Sequence, residues 1–138
     1  MTFISLQPFR DFFEKKEQIR FAYLFGSYAK NSQTSLSDVD IAVYLDERLD
    51  FFTQRLKLME EISRDIGGRS IDLVVLNNSS LILQYEVISH CVILKDNASE
   101  RVDFETRVLR NYLDTEPLRH SYIEAVKKAF IRGDQLGQ

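Results

Sequence analysis

Apolar residues in this chain fall into two patterns, short unbroken runs and longer stripes at helical spacing. Arg20 to Phe25, Asp38 to Leu45, the run Ser-Ile-Asp-Leu-Val-Val-Leu around Asp72, and Cys91 to Leu94 read as strands. Pro8 through Ile19 reads as a first helix, with Pro8 near its start and Phe9, Phe12, Phe13 and Lys16 recurring at helical spacing. Asp50 is placed to cap a longer helix running to about Ile66, with Phe52, Leu56, Met59, Ile62 and Ile66 as its core-facing stripe. Gly67-Gly68 ends that helix and turns the chain into the Asp72 strand, which reads as largely buried. Asn78 or Ser79 then caps a helix that turns Leu81, Tyr85 and Ile88 inward. From Arg101 the chain is helical, with Val102, Leu109 and Tyr112 as one stripe. After a break at Asp114-Thr115-Glu116-Pro117, Leu118, Tyr122, Ala125, Val126 and Ala129 make another. This last segment is either a plain packing helix or an appendage that docks on a partner. Strands alternating with helices predict an α/β (α+β) fold, a small mixed β-sheet with helices packed on it.

Composition narrows the class. At 138 residues with 44% hydrophobic content, the chain suits a single domain with its own core, and no repeat or low-complexity segment interrupts it. A net charge of −3 argues against broad electrostatic binding to nucleic acid. The single cysteine, Cys91, excludes an intramolecular disulfide and lacks companions for a thiolate metal site, so a buried, reduced thiol in a cytoplasmic protein is expected. No run approaches the roughly 20 apolar residues of a membrane span, and no signal-peptide core is visible.

The stretch from Phe25 to Asp40 concentrates the chemistry. Gly26 follows a buried strand and lets the backbone turn sharply or approach a ligand. Ser27 suits the N-cap of a short helix over Tyr28, Ala29 and Lys30, a corner that favours a polyphosphate. Asp38 and Asp40 stand two apart on one strand and so share a face, while Val39, Ile41, Val43 and Leu45 take the other. On the plainest reading both aspartates decorate a strand entrance, with Asp38 completing a turn. Asp72 argues for more: a carboxylate in a buried strand needs a compensating partner, and neighbouring strands would bring it beside the first pair. Three hard oxygen ligands suit Mg²⁺. Asp46, Asp50 and Asp65 lie in turn or exposed helix positions and are poorer candidates.

Gly26-Ser27, ten intervening residues, then Asp38-Val39-Asp40, with Asp72 on a later strand, resembles the active-site signature of the DNA polymerase β-like nucleotidyltransferase superfamily. The small size and the context from Ser37 to Val43 are similar to its minimal nucleotidyltransferase (MNT) branch, many of whose members are the antitoxins of HEPN/MNT toxin–antitoxin pairs. The resemblance covers roughly residues 8 to 113 and leaves a C-terminal helical tail over about 114–138. It implies a polymerase β-like nucleotidyltransferase fold and AMP transfer from ATP to a tyrosine hydroxyl of a cognate HEPN ribonuclease toxin, which would be neutralised within a hetero-oligomer. It further implies Asp38, Asp40 and Asp72 as catalytic residues and ligands of Mg²⁺, as a pair of ions, with Gly26, Ser27, Lys30 and Ser37 on the nucleotide. In one departure, the branch often carries Ala-Arg-Gly after the Gly-Ser, whereas this chain has Ala29-Lys30-Asn31, and lysine lacks the fork that grips phosphate bidentately. Antibiotic-type transfer to a small molecule, and an antitoxin that masks its partner by binding alone, are the alternatives. His120-Ser121-Tyr122 matches a HEPN motif only by coincidence, since the arginine that motif needs is missing upstream, and His90 reads as structural.

Overall fold

The computed structural model describes residues 5–30 and 38–136, with the side chains of 133–136 left aside. In chain order the elements are α1 (Gln7–Glu14), β1 (Ile19–Phe25), a single-turn α2 (Gly26–Ala29), β2 (Val39–Leu45), α3 (Phe51–Asp65), β3 (Ile71–Val75), α4 (Leu81–Ser89), β4 (Val92–Lys95), α5 (Ala98–Asp114) and α6 (Glu116–Leu136). A 3₁₀ turn at Leu76–Asn78 links β3 to α4. The expected mixed sheet is present, with order β3-β2-β1-β4. β1 pairs antiparallel with both neighbours, and β2 pairs parallel with β3 through the α3 crossover.

β1 carries apolar residues without alternation because both faces of the sheet are covered. On one face Val39, Ile41, Val43, Leu45 and Leu73 pack on Phe9, Phe12 and Phe13 of α1 and on Leu58 and Ile62 of α3. On the other, Phe21, Tyr23, Phe25 and Ala42 pack on Val87 of α4 and on Phe104 and Val108 of α5. Phe21 and Tyr44 stack with centroids 4.8 Å apart, and the Tyr23 hydroxyl donates to Glu105 at 2.7 Å.

Several expected boundaries move. The first helix ends at Glu14 and not at Ile19, because Ile19 is needed in β1 opposite Leu45 and is fully buried there. Turn bonds from Lys16 N–H to the Phe13 carbonyl and from Ile19 N–H to the Lys16 carbonyl make the exit. Lys16, off the helix, pairs with Glu61 at 2.6 Å and covers the Phe12 ring. Ser80 caps α4, accepting from Leu83 N–H at 3.2 Å, because Asn78 is consumed by the 3₁₀ turn. Asp50 occupies the N-cap position of α3 but takes its hydrogen bond from the Thr53 hydroxyl. Cys91 is half-buried, and burial pushes its thiol up.

The stripes of α3 and α5 follow expectation only in part: on α3 Met59, Ile62 and Ile66 pack on the core as expected, and the N-terminal members of the stripe do not. Phe52 and Leu56 are exposed, while Leu58 and Ile62 are fully buried. Two apolar stripes overlap on α3: Phe52 and Leu56 lie about 100° and 140° round the helix from Phe51, whereas Leu58 and Ile62 lie within about 20° of it. Only one stripe can face the sheet. On α5 the buried residues are Phe104 and Val108, Val102 and Leu109 are exposed, and Tyr112 stacks on Tyr85 at 3.6 Å. α6 is not a packing helix. Leu118, Tyr122, Ile123, Val126 and Phe130 are all exposed along it. Its junction with α5 is held by Arg119, which donates to the Tyr112 carbonyl at 2.6 Å and stacks on that ring. Among the described residues no helix is long and apolar enough to cross a membrane.

The facing of α3 can be checked by substitution. Leu58→Ala should cost about 2–5 kcal/mol in urea unfolding, as a filled core position does, and Leu56→Ala should stay within about 0.5 kcal/mol.

Candidate active site

β1 delivers the chain to the site and β2 carries it away. Phe25, the last residue of β1, pairs with Asp40. Gly26 then adopts φ +71°, and a Cβ at that position would collide with the Asp40 carboxylate. Glycine is required twice over, for the left-handed backbone and for the space it leaves. α2 begins at Gly26 itself, with Phe25 in the N-cap position, so Ser27 lies inside the helix and does not cap it as expected. Lys30 closes α2, donating its backbone N–H to the Gly26 carbonyl at 3.2 Å, and its side chain is exposed. Tyr28 is buried, and its hydroxyl accepts from Arg69 at 2.6 Å, which ties α2 to the loop that enters β3. Ser37 lies outside the described residues.

Asp38 is exposed just before β2, and Asp40 is half-buried within it. In the parallel register of β2 and β3, Asp40 stands directly opposite Asp72. The expected meeting of the two carboxylates is therefore present, and the reason given for it needs correction. β3 is the edge of the sheet, and the Asp72 side chain is 54% exposed. Sequence cannot order strands within a sheet: Leu73 and Val75 pack on one core and Val74 on the other, while Asp72, near the start of an edge strand, stays open to solvent. Asp72 has Arg55 of α3 as its partner at 4.0 Å, an exposed pair that adds little stability.

The electrostatic tension sits on Asp40. Burial raises its carboxyl above the usual range, and the charges of Asp72, Asp38 and Glu86 raise it further. Glu86 went unnoticed in the sequence. It projects from α4, and no spacing in the chain ties that helix to β2. Among the described residues no three His, Cys, Asp or Glu side chains converge as a ready-made metal cage. The donor set nonetheless fits a hard divalent cation: carboxylate oxygens that repel one another beside a backbone stripped of its Cβ. His90 and His120 are exposed and take no part.

The description "Polymerase beta, Nucleotidyltransferase" fits residues 7–100, and the chain belongs to that family. The chain is similar to several members of known name. Protein adenylyltransferase MntA of Shewanella oneidensis is 28% identical over 109 residues, spanning 79% of this chain and 77% of MntA. A provisionally named protein adenylyltransferase of Methanocaldococcus jannaschii is 33% identical over 70 residues, 51% of this chain and 69% of its own. Among solved structures, a toxin–antitoxin complex with AMP-PNP superposes with TM-score 0.77 at 24% identity, over 90% of this chain and 99% of the matched one. The complex of a tri-AMPylated Shewanella oneidensis HEPN toxin with its MNT antitoxin gives 0.70 at 23% identity, over 89% and 99%. Both structures share the fold described above.

Two outcomes follow from the geometry. Gly26→Ala should leave the chain folded and weaken AMP-PNP binding at least about tenfold by calorimetry, about 1.4 kcal/mol. Asp40 titrates above its unfolded value, so the native state holds that proton more tightly and stability falls as pH rises from the ordinary value of about 3.9 through the raised one. Asp40→Asn should therefore raise Tm at pH 7 relative to the parent chain and lose that advantage as pH falls below the ordinary carboxylate range.

Proposed function

We propose that this chain is a protein adenylyltransferase of the antitoxin type, moving AMP from ATP to a tyrosine hydroxyl of a HEPN toxin in the cytoplasm and thereby neutralising it. The observation that carries the reading is the pairing of Asp40 with Asp72 across β2 and β3, closed over by Gly26. The family membership and the likeness to MntA support the transfer chemistry. The exposed apolar face of α6 supports a chain that works bound to a partner in a hetero-oligomer. We read residues 1–138 as one nucleotidyltransferase domain, with α6 as its tail.

Each residue has a task. Asp38 and Asp40 would hold Mg²⁺, and Asp72 would contribute to a second ion. Bound Mg²⁺ supplies neutralisation of the charge that gathers on the transferring phosphoryl group. Gly26 offers its backbone N–H and Ser27 its hydroxyl to the phosphates, Lys30 adds a charge, and the family resemblance adds Ser37 as a further nucleotide residue. Asp72 takes the proton as the acceptor oxygen attacks the α-phosphorus. The bond from that phosphorus to the oxygen bridging the β-phosphate breaks, and pyrophosphate leaves.

The test is intact mass of both chains after incubation with ATP, Mg²⁺ and the HEPN partner. The toxin should gain one or more AMP units. Asp38→Ala/Asp40→Ala should abolish the gain, and EDTA should do the same to the unaltered chain. Neutralisation of the toxin with no change in its mass would replace this reading with masking by binding.

A further inference from the structure

We propose that a groove along the open edge of β3 receives the acceptor tyrosine of the partner protein, with Phe52 and Arg55 as the residues that select it; this rests on the adenylyltransferase reading above. The groove has a volume of about 270 Å³ and is lined by Phe51, Phe52, Arg55 and Asp72, with Asn78 and Ser79 at its far end. An open groove of this size has room for one inserted aromatic side chain.

Continuity with the site fixes the occupant. Asp72 lines the groove and also stands opposite Asp40, so a group lying in the groove ends beside the carboxylate that takes the acceptor proton. Phe52 is 69% exposed in the first turn of α3 and has no place in the core. A single exposed apolar residue is ordinary, but this one borders the groove beside Asp72 and offers its ring to an aromatic side chain. Arg55 supplies the matching charge. Its Nε donates to the Leu73 carbonyl at 2.8 Å, which anchors the guanidinium on the sheet edge, and Nη2 lies 4.0 Å from Asp72. One of its five N–H donors is used by Leu73.

The arrangement favours a phenol over an aliphatic hydroxyl. A cation beside a phenol stabilises the anion that forms as its proton leaves, and an ordinary tyrosine, at about 10, is within reach of that assistance. In the transfer step the phenol proton passes to Asp72 and the phenolic oxygen bonds to the α-phosphorus of ATP. The link from that phosphorus to the β-phosphate breaks, and pyrophosphate leaves with the electron pair.

The experiment is steady-state AMP transfer to the HEPN toxin, with toxin varied at saturating ATP and Mg²⁺, for the parent chain, Phe52→Ala, Phe52→Tyr, Arg55→Ala and Arg55→Lys. Circular dichroism checks that each variant is folded, and calorimetry follows AMP-PNP. Phe52→Ala should raise KM for the toxin about tenfold, Phe52→Tyr should restore it, and AMP-PNP affinity should match the parent in both. Arg55→Ala should lower kcat and move the rising limb of the pH–rate profile to higher pH, with Arg55→Lys recovering part of each. A parent chain that transfers AMP, with toxin KM and pH profile unmoved in both alanine variants, overturns the groove and leaves the adenylyltransferase reading standing. A rise in KM for ATP in place of the toxin also overturns it, by putting the nucleotide there. A parent chain that transfers nothing removes the reading on which the groove depends.

Discussion

The constraint on which this structure turns is the parallel pairing of β2 with β3, because it sets Asp40 opposite Asp72 and holds two like charges side by side. Left to itself such a pair is unfavourable, and the cost appears as the raised carboxyl of Asp40. The surrounding fold makes the pairing unavoidable. Val39, Ile41, Val43 and Leu45 on alternate positions of β2 are fully buried, so a slip of one residue would turn them toward the opposite face and Asp40 into the core. Packing of this strength overrides repulsion between two partly solvated carboxylates.

The same logic explains the corner at Gly26. β1 is clamped by cores on both faces, and it ends at Phe25 against Asp40. The chain must turn there with no Cβ, which leaves the Asp40 carboxylate against bare backbone. The bond from Arg69 to Tyr28 then draws α2 toward the entry of β3. The Gly26 backbone and the Asp40 and Asp72 positions are thus set by strands held in the sheet, and fixed placement of groups is what in-line phosphoryl chemistry demands of a protein. α3, as the crossover between β2 and β3, also carries Arg55 to the outer edge of the sheet, within reach of Asp72.

Much of this was legible in the chain and some was not, for physical reasons. Alternation along Val39–Leu45 foretold which face Asp40 would occupy, because strand geometry has a fixed period. The glycine pair at 67–68 marked the end of α3 through positive φ, and both residues have it. On α3 the stripe held at Met59, Ile62 and Ile66 and failed at Phe52 and Leu56, because two apolar rows overlap near the start of the helix and only the packed sheet chooses between them. Burial of Asp72 was misjudged because strand order is a property of the whole fold. Arg55 and Glu86 reach the carboxylates across space from separate helices, and no local pattern in the sequence could name them. Ser27 looks like a cap by residue type, yet the helix starts one residue earlier because the turn is already made at Gly26.

The most direct test of the central claim is a Mg²⁺ titration of the chain in the presence of AMP-PNP, following the side-chain carboxyl resonances of Asp40 and Asp72 by NMR. The account predicts that both resonances shift with one common midpoint, and that the proton affinity of Asp40 falls back toward that of an ordinary carboxylate. Resonances that stay in place through saturation, with Asp40 still titrating high, would contradict it.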